Sequence, residues 1–201
     1  MHKLKVYILA GGQSKRFGAD KARAIIQGEP ILVRQANQWS TNGYSVTVVA
    51  SSIDCYSDLS LASIADERPY QGPLSGLRTV LEFHQARNLA SPFIVTSCDF
   101  LSNGVDLIRP LLDAWNDECW GVVYQSDRYQ PFPGLYSTHC LEPVRATFST
   151  CKLDSGYRPS MQNFLKGLNG RLITKELDAA VHLHSFNTPA ELQNWIAEFC
   201  N

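Results

Sequence analysis

Short apolar runs alternate along the chain with longer stretches in which apolar residues recur every three or four positions. Residues 5–10, 46–50 and 93–97 are nearly continuous apolar runs, the pattern of strands covered on both faces. Residues 120–125 and 181–186 predict two further strands. Between the runs, residues 73–90 set Leu74, Leu77, Leu81 and His84 on one helical face, where His84 reads as a core histidine rather than a ligand. Residues 106–115 predict a second helix, with Pro110 in its first turn or at a kink, and residues 160–168 a shorter one. The final helix is the most sharply delimited. Thr188 is a good N-cap, Pro189 suits the first helical position, and Glu191 completes a capping box. Leu192, Trp195, Ile196 and Phe199 then form the stripe of a surface helix that faces the core.

This alternation predicts an α/β fold, with one domain over residues 1–201 and a mostly parallel central sheet flanked by helices. Residues 120–153 are less regular and predict an antiparallel insertion. Hydrophobic residues at 44% supply a core, and the formal net charge of −1 provides no global field for nucleic acid or an anionic membrane. Any phosphate site must therefore be built locally. The run at residues 6–10 is too short for a signal-peptide core, and no stretch approaches the ~20 apolar residues of a membrane span. The six cysteines form no C-x-x-C pair, so zinc and redox chemistry lack support and a reduced, cytoplasmic compartment is expected.

The chemistry concentrates after the first strand, in Leu9-Ala10-Gly11-Gly12-Gln13-Ser14-Lys15-Arg16-Phe17-Gly18-Ala19-Asp20-Lys21-Ala22. In an open parallel sheet, ligands bind at the carboxyl ends of strands. Glycines let backbone N–H groups approach phosphate oxygens, while Lys15, Arg16 and Lys21 add full positive charges. A Walker loop is excluded because Gly18 falls one position late after Gly12 and Ala19 follows it instead of lysine. The G-x-G-x-x-G dinucleotide fingerprint is absent too. Gly11-Gly12 alone would suit an ordinary turn; Arg16, Gly18, Asp20 and Lys21 in register favour an anion site.

This segment resembles the signature L-A-G-G-x-S-x-R-x-G-x-D-K of molybdenum cofactor guanylyltransferases and matches every fixed position. Related cytidylyltransferases usually begin Ala-Ala-Gly, which makes Gly11 informative. Four later segments are similar to the family's elements in the same order. They are Gln71-Gly72-Pro73-Leu74-Ser75-Gly76-Leu77, Ser97-Cys98-Asp99, Gln130-Pro131-Phe132-Pro133-Gly134-Leu135-Tyr136 and Phe186-Asn187-Thr188-Pro189-Ala190-Glu191-Leu192. The resemblance implies a Rossmann-like, GT-A-like nucleotidyltransferase fold. It implies an activity that joins GMP from GTP to the terminal phosphate of molybdopterin bearing molybdenum, with release of pyrophosphate. Mg²⁺ would be the cofactor, and carrier or recipient proteins for the molybdenum cofactor are further implied partners; nucleic acid and membrane are not.

The same resemblance assigns roles. Leu9, Ala10, Gly11 and Gly12 form the nucleotide loop, Lys21 binds the triphosphate with Arg16 sharing that task, and Asp99 holds the metal. Asp66 lies near the guanine, whose adjacent N–H groups a carboxylate can accept; a loop aspartate paired with Arg68 is the competing reading. For Asp99 the competing reading is a helix cap or turn. Gly72 and Gly76 permit close approach of ligand to backbone, and Gln130 and Pro131 shape the acceptor side. Asn187 approaches the metal or acceptor side, or is a turn asparagine. His182 and His184 share a strand face without a Cys or Glu partner that would suggest a metal site. The chain departs from the family at two places. Asp99-Phe100-Leu101 replaces C-D-x-P, and Ala50-Ser51-Ser52 replaces an asparagine often found after the second strand. The competing functions are a small nucleotidyltransferase acting on a sugar, polyol or other cofactor phosphate, and a nucleotide-binding regulator that has lost transfer.

Overall fold

The computed structural model describes residues 3–12, 14–89, 92–149, 159–177 and 183–200. Its strands are, in chain order, β1 (Lys5–Leu9), β2 (Ile25–Ile26), β3 (Glu29–Pro30), β4 (Ser45–Ala50), β5 (Ser63–Ala65), β6 (Phe93–Ser97), β7 (Gly121–Gln125), β8 (Tyr129–Tyr136) and β9 (Leu172–Glu176). Its helices are α1 (Ile31–Thr41), α2 (Pro73–Ala86), α3 (Gly104–Ala114), α4 (Leu141–Ser149), α5 (Met161–Gly167) and α6 (Pro189–Phe199). Seven strands form one sheet in the order β5-β4-β1-β6-β8-β7-β9, and β2 pairs with β3 as a separate ribbon. β1 is parallel to β4 and β6, β4 to β5, and β7 to β9. β8 runs antiparallel to both neighbours and is the antiparallel element expected within residues 120–153.

Alternation along β1 feeds two cores. Val6, Ile8 and Ala10 meet Leu32, Ala36 and Trp39 of α1 and Leu107, Ile108 and Leu111 of α3. Tyr7 and Leu9 meet Leu74, Leu77, Val80 and Leu81 of α2, backed by α4 and α5. The apolar runs are continuous because both faces of the sheet are covered. His84 is fully buried beside Tyr7 and Phe93, with ring centroids at 5.3 and 4.1 Å, as a core histidine should be. Burial lowers its pKa to about 4.

The structure corrects several expectations. Residues 181 and 182, and with them His182, lie outside the described residues. Residues 183–186 make no sheet strand; Ser185 forms an isolated antiparallel bridge to Phe100, with Leu101 N–H donating to His184 O at 2.7 Å. Pro110 lies in the interior of α3 rather than its first turn, because Asn103 caps the helix two residues earlier than expected by accepting from Val105 N–H. Its missing N–H falls on the exposed face. In α6 Leu192 is buried, Trp195 and Ile196 are half-buried and Phe199 is exposed, so the stripe meets the core only along its first turns. α1, α4, β2, β3, β5 and β9 were not among the expected elements, and β8 was expected only as an insertion without strand bounds.

Candidate active site

The carboxyl ends of β1, β4, β5 and β6 surround one cleft of about 360 Å³, where strand order reverses about β1. Leu9, Ala10, Gly11, Gly12, Lys21, Asp66, Gly76 and Asp99 all line it. Arg16 does not; its exposed guanidinium sits at the rim and donates to Asn187 Oδ1 at 3.1 Å.

Local bonds shape the loop after β1. Ser14 O accepts from Phe17 N–H and Gly18 N–H at 2.9 and 3.1 Å, and Ser14 Oγ accepts from Lys21 N–H at 3.2 Å. Gly18 has φ +77, which suits glycine. Asp20 caps the turn that carries Lys21 by accepting from Ala22 N–H at 3.0 Å. Tyr56 OH reaches both Ala10 O and Asp20 Oδ1, at 3.1 and 3.3 Å, and so ties the two halves of the loop together.

Lys21 then points into the cleft. Its ammonium donates to Asp99 Oδ2 at 2.9 Å, Phe186 O at 3.2 Å and Asn187 Oδ1 at 3.3 Å. Asp99 follows β6, and its other oxygen accepts from Ser97 Oγ at 2.6 Å. The segment at 186–187 is carried in by α6. Thr188 Oγ accepts from Glu191 N–H, and Glu191 Oε2 accepts from the N–H groups of Asn187 and Thr188. Those bonds hold the Glu191 carboxyl below its ordinary pKa.

Asp66 is buried at the end of β5. Its Oδ1 accepts from Arg68 N–H, Ser75 Oγ and Thr79 Oγ1 at 3.0, 3.0 and 2.9 Å. The bond to Arg68 is thus to its backbone. Oδ2 lies toward Gly11, 3.9 Å from where a Cβ at Gly11 would sit. The glycines of the G-P-L-x-G segment do different things. Gly72 adopts φ +91 at the start of α2, and a Cβ at Gly76 would meet Leu9 Cδ2 at 2.9 Å. Gly76 therefore seats α2 against the strand whose end forms the cleft.

Three oxygens of different kinds, a carboxylate, an amide and a backbone carbonyl, surround one cation here. That donor set fits Mg²⁺, which takes one or two carboxylates and completes its shell with phosphate and water. Among the described residues no group of three or more His, Cys, Asp or Glu side chains could hold a metal alone. Ser14, Ser97, Tyr70 and Phe132 also line the cleft and were not singled out from the sequence. Ser14, Ser97 and Phe132 stood inside recognised motifs; Tyr70 had no spacing signal.

Residues 6–166 match the family model described as a MobA-like NTP transferase domain. The chain is 31% identical over 170 residues to the molybdenum cofactor guanylyltransferase of Histophilus somni, covering 80% of each chain. It is 28% identical over 199 residues to that of Haemophilus influenzae, covering 96% of this chain and 97% of the other. Its fold is similar to the crystal structure of molybdopterin-guanine dinucleotide biosynthesis protein A from Archaeoglobus fulgidus, with a TM-score of 0.74, 18% identity and 98% of each chain covered.

Proposed function

The chain belongs to the MobA-like NTP transferase family, and from that premise we propose that it transfers GMP from GTP to the terminal phosphate of molybdopterin, with or without molybdenum, releasing pyrophosphate. The observation that carries this reading is the meeting of Lys21 and Asp99 in the cleft beneath Gly11 and Gly12. An acceptor phosphate oxygen attacks the α-phosphorus of GTP, the bond from α-phosphorus to the bridging oxygen breaks, and that oxygen leaves with the pyrophosphate. The acceptor is already ionised near neutral pH, so no strong base is needed; alignment and charge neutralisation are the main tasks. Asp99 would hold Mg²⁺, which when bound would supply positive charge to neutralise the phosphates. Lys21 holds the β- and γ-phosphates as a compact cation, with Arg16 assisting from the rim. Asp66 Oδ2 accepts from the guanine ring and exocyclic N–H groups, while its Oδ1 bonds fix the carboxylate plane. Gly11 and Gly12 offer backbone N–H groups to the nucleotide.

Residues 1–201 form one nucleotidyltransferase domain in this reading, since the segment at 186–187, beyond the matched 6–166, completes the surroundings of Lys21. A reducing, cytoplasmic setting suits the free thiols of Cys55, Cys98, Cys119, Cys140 and Cys200. The test is pyrophosphate release with molybdopterin as acceptor and GTP, CTP or ATP as donor. GTP should be strongly preferred, and Asp99→Asn should suppress release without unfolding the protein. Equal rates with CTP would overturn the guanylyl assignment, and normal transfer by Asp99→Asn at the same Mg²⁺ concentration would overturn the metal site.

A further inference from the structure

We propose that Gln35 is a positioning residue for Asp99: from the buried face of α1 it holds the backbone carbonyls on either side of that aspartate. The buried face of α1 is otherwise apolar, made by Ile31, Leu32, Ala36 and Trp39. Gln35 lies in the middle of it, 6% exposed. Its Nε2 donates to Cys98 O at 3.2 Å and to Phe100 O. The amide orientation follows from chemistry, since the flipped form would set Oε1 against two carbonyl oxygens. As placed, Oε1 is buried without a hydrogen-bond partner. That arrangement costs stability, and an apolar residue of similar size would complete the stripe without the cost. It would leave the two carbonyls unheld.

The rest of the turn explains why holding them matters. Asp99 O points the other way and accepts from Phe186 N–H at 3.2 Å, while Cys98 N–H donates to Leu9 O at 3.0 Å. The backbone around Asp99 is thus fixed from α1, from β1 and from the segment before α6. Position 101 carries Leu in place of the proline of C-D-x-P, and its N–H makes the 2.7 Å bond to His184 O, which a proline could not donate. Hydrogen bonds therefore do here what a ring would do covalently. Gln35 supplies two of them from outside the residues that line the cleft.

This inference rests on Asp99 being the metal-binding carboxylate proposed above. The test measures GTP affinity by calorimetry with Mg²⁺ and with EDTA, in wild type, Gln35→Met, Asp99→Asn and the double variant. Wild type should gain affinity from Mg²⁺, and Asp99→Asn should lose that gain. Gln35→Met should lose roughly tenfold or more of it, the usual scale for a group that orients a metal ligand. Its affinity in EDTA should stay within about twofold of wild type, and in the Asp99→Asn background it should change nothing further. Gln35→Asn, too short to reach Phe100 O, should behave alike and serves if the methionine variant does not fold. An intact Mg²⁺ gain in either Gln35 variant overturns the proposal, as does an equal loss in EDTA or an undiminished effect beside Asp99→Asn. A wild type whose affinity ignores Mg²⁺ overturns the metal reading of Asp99 and this inference with it. A wild type that responds to Mg²⁺ but releases no pyrophosphate overturns only the transfer reaction.

Discussion

The ammonium of Lys21 stands 2.9 Å from Asp99 Oδ2 and also contacts two oxygens of the segment at 186–187. On the roles proposed above, it stands where a metal at Asp99 would bind, and joint binding of nucleotide and metal would draw Lys21 away toward the phosphates. Lys21→Ala should therefore act in two directions. GTP affinity should fall by about 1.5–3 kcal/mol, the scale of a charge-assisted hydrogen bond, while Mg²⁺ at a fixed occupancy of GTP should be needed at lower concentration. Calorimetry and a Mg²⁺ titration of pyrophosphate release separate the two effects; a metal requirement that rises in parallel with the loss of GTP affinity would show that the two cations do not compete. The placement of Lys21, Asp99 and Gly11 in the cleft was legible in the sequence because each stands in a short motif beside a strand end. Gln35 and Thr79 were not, because each works through contacts with residues distant along the chain.

Among the elements, the strands nearest the cleft were the easiest to read. β1, β4 and β6 are buried on both faces, so continuous apolar runs mark them. β8 was hidden by Pro131 and Pro133, which a central strand should exclude. Its pairing explains how they fit: the register with β7 shifts between Val122 and Tyr124, and β6 pairs only with residues from Gly134 onward. β9 reads as polar because it is an edge strand with an exposed outer half. α1 was missed although Ile31, Leu32, Ala36 and Trp39 have helical spacing; Gln35 interrupts the stripe at the residue that braces Asp99. α6 was read with its cap because a capping box is a local signal. That cap has a functional edge, since Glu191 binds the backbone of Asn187. Thr188→Ala should cost about 1 kcal/mol of stability and also weaken GTP binding. Thermal unfolding and GTP titration check both, and a stability loss with unchanged GTP affinity would mean that the cap does not govern the placement of Asn187.

At the scale of the whole molecule, helices cover both faces of the sheet, and His84 is a titratable group caught between α2 and the sheet. Its pKa of about 4 lies below the ordinary 6.5, with burial the main cause and the charge of Lys5 adding to it. The neutral form is the one the fold accepts. The stability this contributes is fully present above about pH 6.5 and is lost as pH falls toward 4, by up to about 3 kcal/mol. His84→Phe should flatten that part of the pH–stability profile in denaturant unfolding between pH 7 and 4; an identical slope in both proteins would place the acid sensitivity elsewhere. One contact also has a meaning in time. Arg16 and Asn187 meet across 171 positions of sequence. At roughly 5–20 residues per second of synthesis, Asp66 and Asp99 leave the ribosome seconds before the segment that joins Lys21 arrives. A nascent chain thus holds both cleft carboxylates well before it can seat its lysine, and on the proposed roles of these residues competence for transfer waits until residue 187 has been made.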